Sequence, residues 1–130
     1  SLESDIHFLK EKVKLGAEYI VTQMFFDNKK FFEFQDICKK EGINVPIIPG
    51  LKPISTRKQL NILPHRFHCD LPVTLIKEII KCKDNSQVKQ VGIEWCIQQS
   101  KELKKAGVPF LHYYSMCKAL NIKKIASEIF

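Results

Sequence analysis

The chain opens on an amphipathic pattern. Ile6, Leu9 and Val13 recur at helical spacing between charged positions and predict a helix from Asp5 to Ala17, with Ser1 or Ser4 to cap it and Gly16 to end it. The period then changes. Ile20-Val21-Thr22-Gln23-Met24-Phe25-Phe26-Asp27 shows no clean alternation, which suits a parallel strand, Tyr19 to Phe26, covered on both faces. Gln23 is the one amide in an apolar and aromatic run. A polar group buried without a partner costs roughly 1–3 kcal/mol, so Gln23 is expected to bond backbone, water or a ligand.

Asp27-Asn28 then offers an N-cap, and Phe31, Phe34, Ile37 and Cys38 form the apolar stripe of a second helix ending at Gly42. Val45-Pro46-Ile47-Ile48-Pro49-Gly50 carries too many prolines for a helix interior and reads as a strand entering a loop. A short helix from Thr56 to Leu63, capped by Ser55, is expected to stop at Pro64, with a loop over residues 65–69. Asp70 is placed to cap the next helix, with Val73, Ile76, Ile79 and Ile80 on its buried face, until Asp84-Asn85-Ser86 breaks it. A long helix follows with Val88, Val91, Trp95, Leu103 and Ala106 on one side and Gly107 at its end. Gly92 weakens its interior by about 1 kcal/mol relative to Ala and signals close packing against a neighbour. Phe110 to Ser115 is the third strand, and Leu120 to Ile129 a last helix.

Strands separated by helices imply parallel pairing with crossover connections, hence an α/β fold. Three strands are few: a closed (β/α)8 TIM barrel takes eight strands and typically about 250 residues, and an open three-stranded sheet leaves two bare edges. With 130 residues, 45% apolar and 27% charged, the chain has the composition of one globular domain. No apolar run reaches the roughly 20 residues of a membrane helix, and the N-terminus lacks a signal peptide pattern, so no membrane partner and a cytoplasmic location are expected. Five scattered cysteines without a CxxC pair read as free thiols. The net charge of +7 suits an anionic ligand. Its lysines cluster at helix ends, as in Lys39-Lys40 and Lys104-Lys105, and no recognition motif accompanies them, which weighs against nucleic acid.

In a barrel, function gathers where strands end. Gln23 with Asp27, the stretch from Pro49-Gly50 to Gln59, and the stretch from Tyr114-Ser115 to Lys118 all fall there. Taken singly, Gln23 reads as a satisfied core amide, Gln59 as a surface helix residue and Lys118 as a solvated charge. His65-x-x-His68-Cys69 has chelating spacing, but only a lone Cys82 follows, short of the four ligands of a structural zinc site, so no metal is expected.

Three stretches together resemble a known family. Val21-Thr22-Gln23-Met24-Phe25-Phe26-Asp27, then Ile47-Ile48-Pro49-Gly50-Leu51-Lys52-Pro53-Ile54-Ser55 with Lys58-Gln59, then Gly107-Val108 through His112-Tyr113-Tyr114-Ser115, are similar to the last three strands of methylenetetrahydrofolate reductase. The resemblance runs from Ser1 to Phe130. It implies the C-terminal portion of a single FAD- and folate-binding (β/α)8 TIM-barrel domain, with the N-terminal strands absent from this chain. It implies reduction of 5,10-methylenetetrahydrofolate to 5-methyltetrahydrofolate with FAD as cofactor and NADH or NADPH as donor, feeding methionine synthesis, and a homo-oligomeric full-length enzyme. The family's catalytic glutamate belongs to a first strand this chain does not contain, so no catalytic residue is expected here and the chain alone is expected to be inactive.

Residue roles follow from the same resemblance. Gln23 matches the glutamine that contacts the pterin and, in the other half-reaction, the nicotinamide; Gln59 matches a second folate-contacting glutamine. Lys118 lies where the family often has an arginine, and keeps the charge without the bidentate fork. Asp5 and Lys12 match FAD contacts, whereas Phe8 and Glu11 stand where polar or basic contacts are often found. The competing reading is a noncatalytic α/β binding module for an anionic partner such as nucleic acid.

Overall fold

The computed structural model describes residues 2–67 and 69–114; the end of the third strand at Ser115, Lys118 and the helix expected from Leu120 to Ile129 lie outside the described residues. The elements are α1 (Leu2–Lys14), β1 (Ile20–Met24), α2 (Asn28–Lys40), β2 (Ile47–Leu51), α3 (Gln59–Phe67), α4 (Val73–Ile80), α5 (Asn85–Lys105) and β3 (His112–Tyr113). The three strands form one parallel sheet in the order β1-β2-β3. Helix α2 makes the first crossover and α3 to α5 the second, as parallel pairing requires.

Local chemistry accounts for most boundaries. The Asp27 carboxylate accepts from Lys29 N at 3.0 Å and starts α2, and Asp84 accepts from Gln87 N at 3.0 Å and starts α5. Several boundaries depart from the sequence pattern: α1 starts before Asp5 and ends before Ala17, β1 and β3 are shorter than expected, and the ends of α3 and the cap of α4 differ as well. Helix α3 runs through Pro64 to Phe67. Turns at residues 56–58 wind into it through bonds such as Gln59 N to Thr56 O, and Leu63 is only 1% exposed, so packing carries the helix past a residue that propensity would stop at. Its start is capped from within: Gln59 Oε1 accepts from Ser55 N at 2.7 Å and Thr56 N at 3.3 Å, so the Ser55 side chain is not the cap. Helix α4 has Pro72 at its N-cap with no side-chain bond, so Asp70 does not cap it.

The buried face of α4 is also rotated from the expected one. Leu75 and Ile79 are fully buried, whereas Val73 and Ile80 are exposed. An eight-residue helix with apolar residues on every side has no face that its own pattern selects. Packing against α5 selects it here.

Two apolar clusters hold the layers. Ile20, Ile47 and Leu51 of the sheet pack with Phe31 and Cys38 of α2 and Leu103 of α5. Met24, Phe26 and Ile54, near the strand ends, pack with Leu63, Leu75 and Val88 of the second crossover. Helix α5 touches both, and at Gly92 it meets the chain after β2 directly. A Cβ there would stand 1.8 Å from Ile54 O, so the close approach inferred from the sequence is a backbone contact.

Gly92→Ala is therefore expected to destabilise the protein toward the upper end of the roughly 1–3 kcal/mol typical of overpacking, measured as a fall in denaturant midpoint. A second outcome concerns pH. Cys96 is 1% exposed, and burial pushes its thiol up from 9.0 to about 12, against a smaller opposing effect of the Ser100 hydroxyl. Below 9.0 the thiol is neutral in both folded and unfolded states and its contribution is fully present. As pH rises from 9.0 toward about 12 the unfolded thiol ionises first, so stability is lost. Cys96→Ala should show a shallower alkaline decline in unfolding free energy across that window.

Candidate functional site

The candidate site is built from an irregularity in β1. Ile20 pairs with Ile47 and Val21 with Ile48, but Met24 pairs with Gly50, so β1 carries one extra residue and bulges between Val21 and Met24. Thr22 and Gln23 occupy the bulge. The Gly50 N–H, displaced from the regular ladder, donates to Thr22 Oγ1 at 2.9 Å. The Thr22 carbonyl accepts from Tyr114 Oη at 2.8 Å, so a side chain from beyond β3 reaches across β2 to β1.

That crossing is possible because residue 50 is glycine. A Cβ there would sit 2.5 Å from Thr22 O and 2.5 Å from Tyr114 Cε2. The Tyr114 N–H also donates to Leu51 O at 2.8 Å, which extends the β2–β3 pairing beyond β3. His112 packs edge-on against the Tyr114 ring, with centroids 4.6 Å apart.

The bulge corrects the reading of Gln23 as a buried amide. Gln23 is exposed, and β1 pairs only with β2 among the described residues, so one edge of the strand is not covered by the sheet. It lines a cleft of about 560 Å³ that runs along β1 between α1 and α2. Asp5, Phe8, Leu9 and Lys12 of α1 line the same cleft, their spacing placing them on one helix face, with Lys30 and Phe34 of α2 opposite. Lys12 Nζ lies 4.7 Å from the Phe8 ring centroid, a cation–π contact that steadies an exposed ammonium.

The structure thus brings together Asp5, Lys12 and Gln23. Gln59 stands apart from that cleft, at the start of α3, with its Oε1 engaged by the two backbone N–H groups and its Nε2 left as the end it can present. Lys118 lies outside the described residues. His65 and Cys69 belong to no metal-binding group among the described residues, and His68 is not described. No helix of the described residues is long and apolar enough to cross a membrane.

Two contributors were not singled out from the sequence. Thr22 acts through its hydroxyl, and the only signal was a second polar residue beside Gln23. Lys52 is 5% exposed, and burial pulls its ammonium below the ordinary lysine value. Its signal was a lone cation between Leu51 and Pro53.

Behind the strand ends, α5 is tied on by polar groups. Trp95 Nε1 donates to Phe26 O at 2.9 Å, Gln99 Nε2 donates to Phe25 O at 3.3 Å, and Asn28 Nδ2 donates to Gln99 O at 3.0 Å. The Ser100 and Tyr113 hydroxyls lie 2.9 Å apart. These bonds fix the backbone that follows Gln23.

Comparison with known proteins adds a family. A family model described as methylenetetrahydrofolate reductase matches residues 1–129. Methylenetetrahydrofolate reductase (NADH) 1 of Arabidopsis thaliana is 37% identical over 130 residues, which is 99% of this chain and 21% of that protein. The 5,10-methylenetetrahydrofolate reductase of Escherichia coli K12 is 32% identical over 120 residues, 92% of this chain and 40% of that protein. A probable methylenetetrahydrofolate reductase (NADPH) of Caenorhabditis elegans is 30% identical over 99% of this chain and 20% of that protein. The chain thus spans well under half the length of these relatives. A solved structure from Clostridium thermocellum, described as binding two copies of 5-methyl-5,6,7,8-tetrahydrofolic acid, shares the fold with a TM-score of 0.59 at 18% identity, covering 98% of this chain and 47% of that one.

Tyr114→Phe removes the donor to Thr22 O and keeps the ring over Gly50. The expected cost is about 1 kcal/mol of stability, and amide exchange of the bulge residues should accelerate more than that of Ile20. Equal exchange in both variants would show that the hydroxyl does not hold the bulge.

Proposed function

This chain belongs to the methylenetetrahydrofolate reductase family, and from that premise we propose that its strand ends form part of the site where the full-length enzyme binds folate and its nicotinamide donor. The reaction is the reduction of 5,10-methylenetetrahydrofolate to 5-methyltetrahydrofolate with NADH or NADPH, feeding methionine synthesis. The observation that carries this reading is the convergence of Asp5, Lys12 and Gln23 on one cleft. The folate described for the Clostridium thermocellum protein of the same fold supports the substrate class.

In this reading residues 1–130 are the C-terminal part of a (β/α)8 barrel, and the strands that complete it bring the acid that protonates the substrate. The chain alone is then inactive. A homo-oligomeric full-length enzyme in the cytoplasm belongs to the same proposal, and the buried free thiols among the described residues, Cys38, Cys69, Cys82 and Cys96, suit a reducing compartment.

For FAD the donor set fits. The Asp5 carboxylate can accept from a ribose hydroxyl, the Lys12 ammonium can neutralise a phosphate, and Phe8 between them offers an apolar face. When bound, FAD supplies the carrier that takes hydride from the nicotinamide and delivers it to the folate. The chain's own residues bind and orient. Gln23, re-aimed by the bulge, presents a donor and an acceptor side by side, which matches a pterin edge bearing both and the carboxamide of a nicotinamide. Gln59 reaches folate through Nε2, because its Oε1 is held by the turn before α3. Lys118 attracts the folate's glutamate tail as a point charge.

Gln23→Glu in the full-length enzyme replaces the amide donor by an acceptor. Folate-dependent kcat/KM is expected to fall roughly ten- to a hundredfold, the equivalent of about 1–3 kcal/mol, with flavin absorbance retained. Unchanged folate kinetics would refute the role of Gln23. A colourless full-length protein that shifts with oligonucleotide and not with folate would sink the enzyme reading altogether.

A further inference from the structure

A second, smaller pocket lies behind the end of β1. It holds about 190 Å³ between the start of α2 and the second half of α5, and it shares no lining residue with the cleft that Gln23 enters. Successive residues leaving β1 serve the two in turn, Phe25 lining the cleft and Phe26 the pocket.

Gln99 lines this pocket and is 5% exposed. Its Nε2 donates to Phe25 O at 3.3 Å and to Asn28 Oδ1 at 3.2 Å, and since both partners are acceptors the amide cannot be turned over without losing them. Its Oε1 is left buried without a hydrogen-bond partner, the only buried side-chain nitrogen or oxygen in that condition among the described residues. A buried acceptor in that state costs free energy until a donor reaches it.

The rest of the lining says what kind of donor suits. Asp27 and Glu102 bring two carboxylates, and no lysine, arginine or histidine lines the pocket, in a chain whose net charge is +7. Each acid spends one oxygen on the protein: Asp27 Oδ1 accepts from Lys29 N at 3.0 Å, and Glu102 Oε1 accepts from Asn28 Nδ2 at 3.3 Å. Trp95 adds an aromatic wall whose N–H is committed to Phe26 O at 2.9 Å, so its ring face is what it can offer. Two carboxylates fall short of a metal site, and no group of three or more His, Cys, Asp or Glu among the described residues could hold a metal ion. An ammonium is compact and strongly hydrated. A guanidinium is flat and more weakly hydrated, and it stacks on an aromatic face while its N–H groups reach acceptors around its edge.

We propose that this pocket binds a guanidinium group, which stacks on Trp95 and donates to the carboxylates of Asp27 and Glu102 and to Gln99 Oε1. The site stands independently of the folate reading. Because Gln99 and Trp95 also hold the Phe25 and Phe26 carbonyls, an occupied pocket braces the backbone just after Gln23. The group belongs to a small free compound or to an arginine side chain of a polypeptide, and the test separates the two.

The test uses the full-length enzyme, unaltered and as Glu102→Gln and Gln99→Met. Methylguanidinium and N-acetylarginine methylamide are titrated calorimetrically at low salt, with methylurea as the uncharged planar counterpart, and amide exchange over residues 25–28 is followed with each. Methylguanidinium is expected to bind once per chain and to slow that exchange, methylurea to bind at least about tenfold more weakly, and both substitutions to weaken methylguanidinium at least about tenfold. Blocked arginine binding as tightly as methylguanidinium, or more tightly, assigns the site to an arginine side chain; weaker binding assigns it to a small free compound. The proposal is overturned if the unaltered enzyme binds neither cation, if methylurea binds as well as methylguanidinium, or if Glu102→Gln leaves the affinity unchanged. A crystal of the enzyme soaked in methylguanidinium that shows water alone beside Gln99 Oε1 overturns it as well. Should Gln99→Met fail to fold, Glu102→Gln carries the test, since Glu102 is exposed.

Discussion

Everything at the strand ends depends on the absence of a side chain at residue 50. The space that a Cβ would fill is taken by the Thr22 carbonyl and the Tyr114 ring. Because both fit, β1 can carry an extra residue without orphaning the groups it displaces: Gly50 N–H finds the Thr22 hydroxyl, and the Thr22 carbonyl finds Tyr114. An unsatisfied pair in the same place would cost about 1–3 kcal/mol for each group. The bulge is thus a bonded feature of the sheet, and the placement of Gln23 in the cleft is its consequence.

Helix α5 is the second constraint. It presses its own glycine against the Ile54 carbonyl just after β2, and it holds the chain after β1 through Trp95 and Gln99. The stretch that leaves β1 just after Gln23 and the stretch that leads from β2 to Gln59 are therefore anchored to one rigid element. Helices α3 and α4 are packed against the same helix side through Leu63, Leu75, Ile79 and Val88, and Arg57 adds side-chain bonding to the Cys82 carbonyl and a backbone bond to Asn85. A site assembled from several strand ends needs such a common backing, since an error of about 1 Å in a contact group is costly.

Charge is distributed unevenly over this frame. The excess of lysine gives the chain its +7; among the described residues the pairs Lys10–Glu41, Lys14–Glu11 and Lys81–Glu78 are exposed and contribute little to stability. Lys12, at the cleft, and Lys52, under cover, differ in kind from these.

Much was legible from residue order alone. Helical spacing of Ile6, Leu9 and Val13, the caps at Asp27 and Asp84, and the run from Ile20 to Met24 determine α1, α2, α5 and β1, because those signals are local and their bonds close within a turn or a strand. Gly92 announced its packing for the same reason: nothing but contact explains glycine inside a long helix. Asp5, Lys12 and Gln23, singled out by family resemblance, line one cleft. The tertiary structure decided the rest. It chose the buried face of α4, carried α3 through Pro64, engaged the amide of Gln59 in its own turn, and turned Gln23 out of the core into the bulge. The bulge rests on a partner far away in the chain, Tyr114 for Thr22, and the face of α4 on its packing against α5; the turn of Gln59 closes within four residues, yet an amide bonding back to the backbone leaves no mark in the hydrophobic pattern.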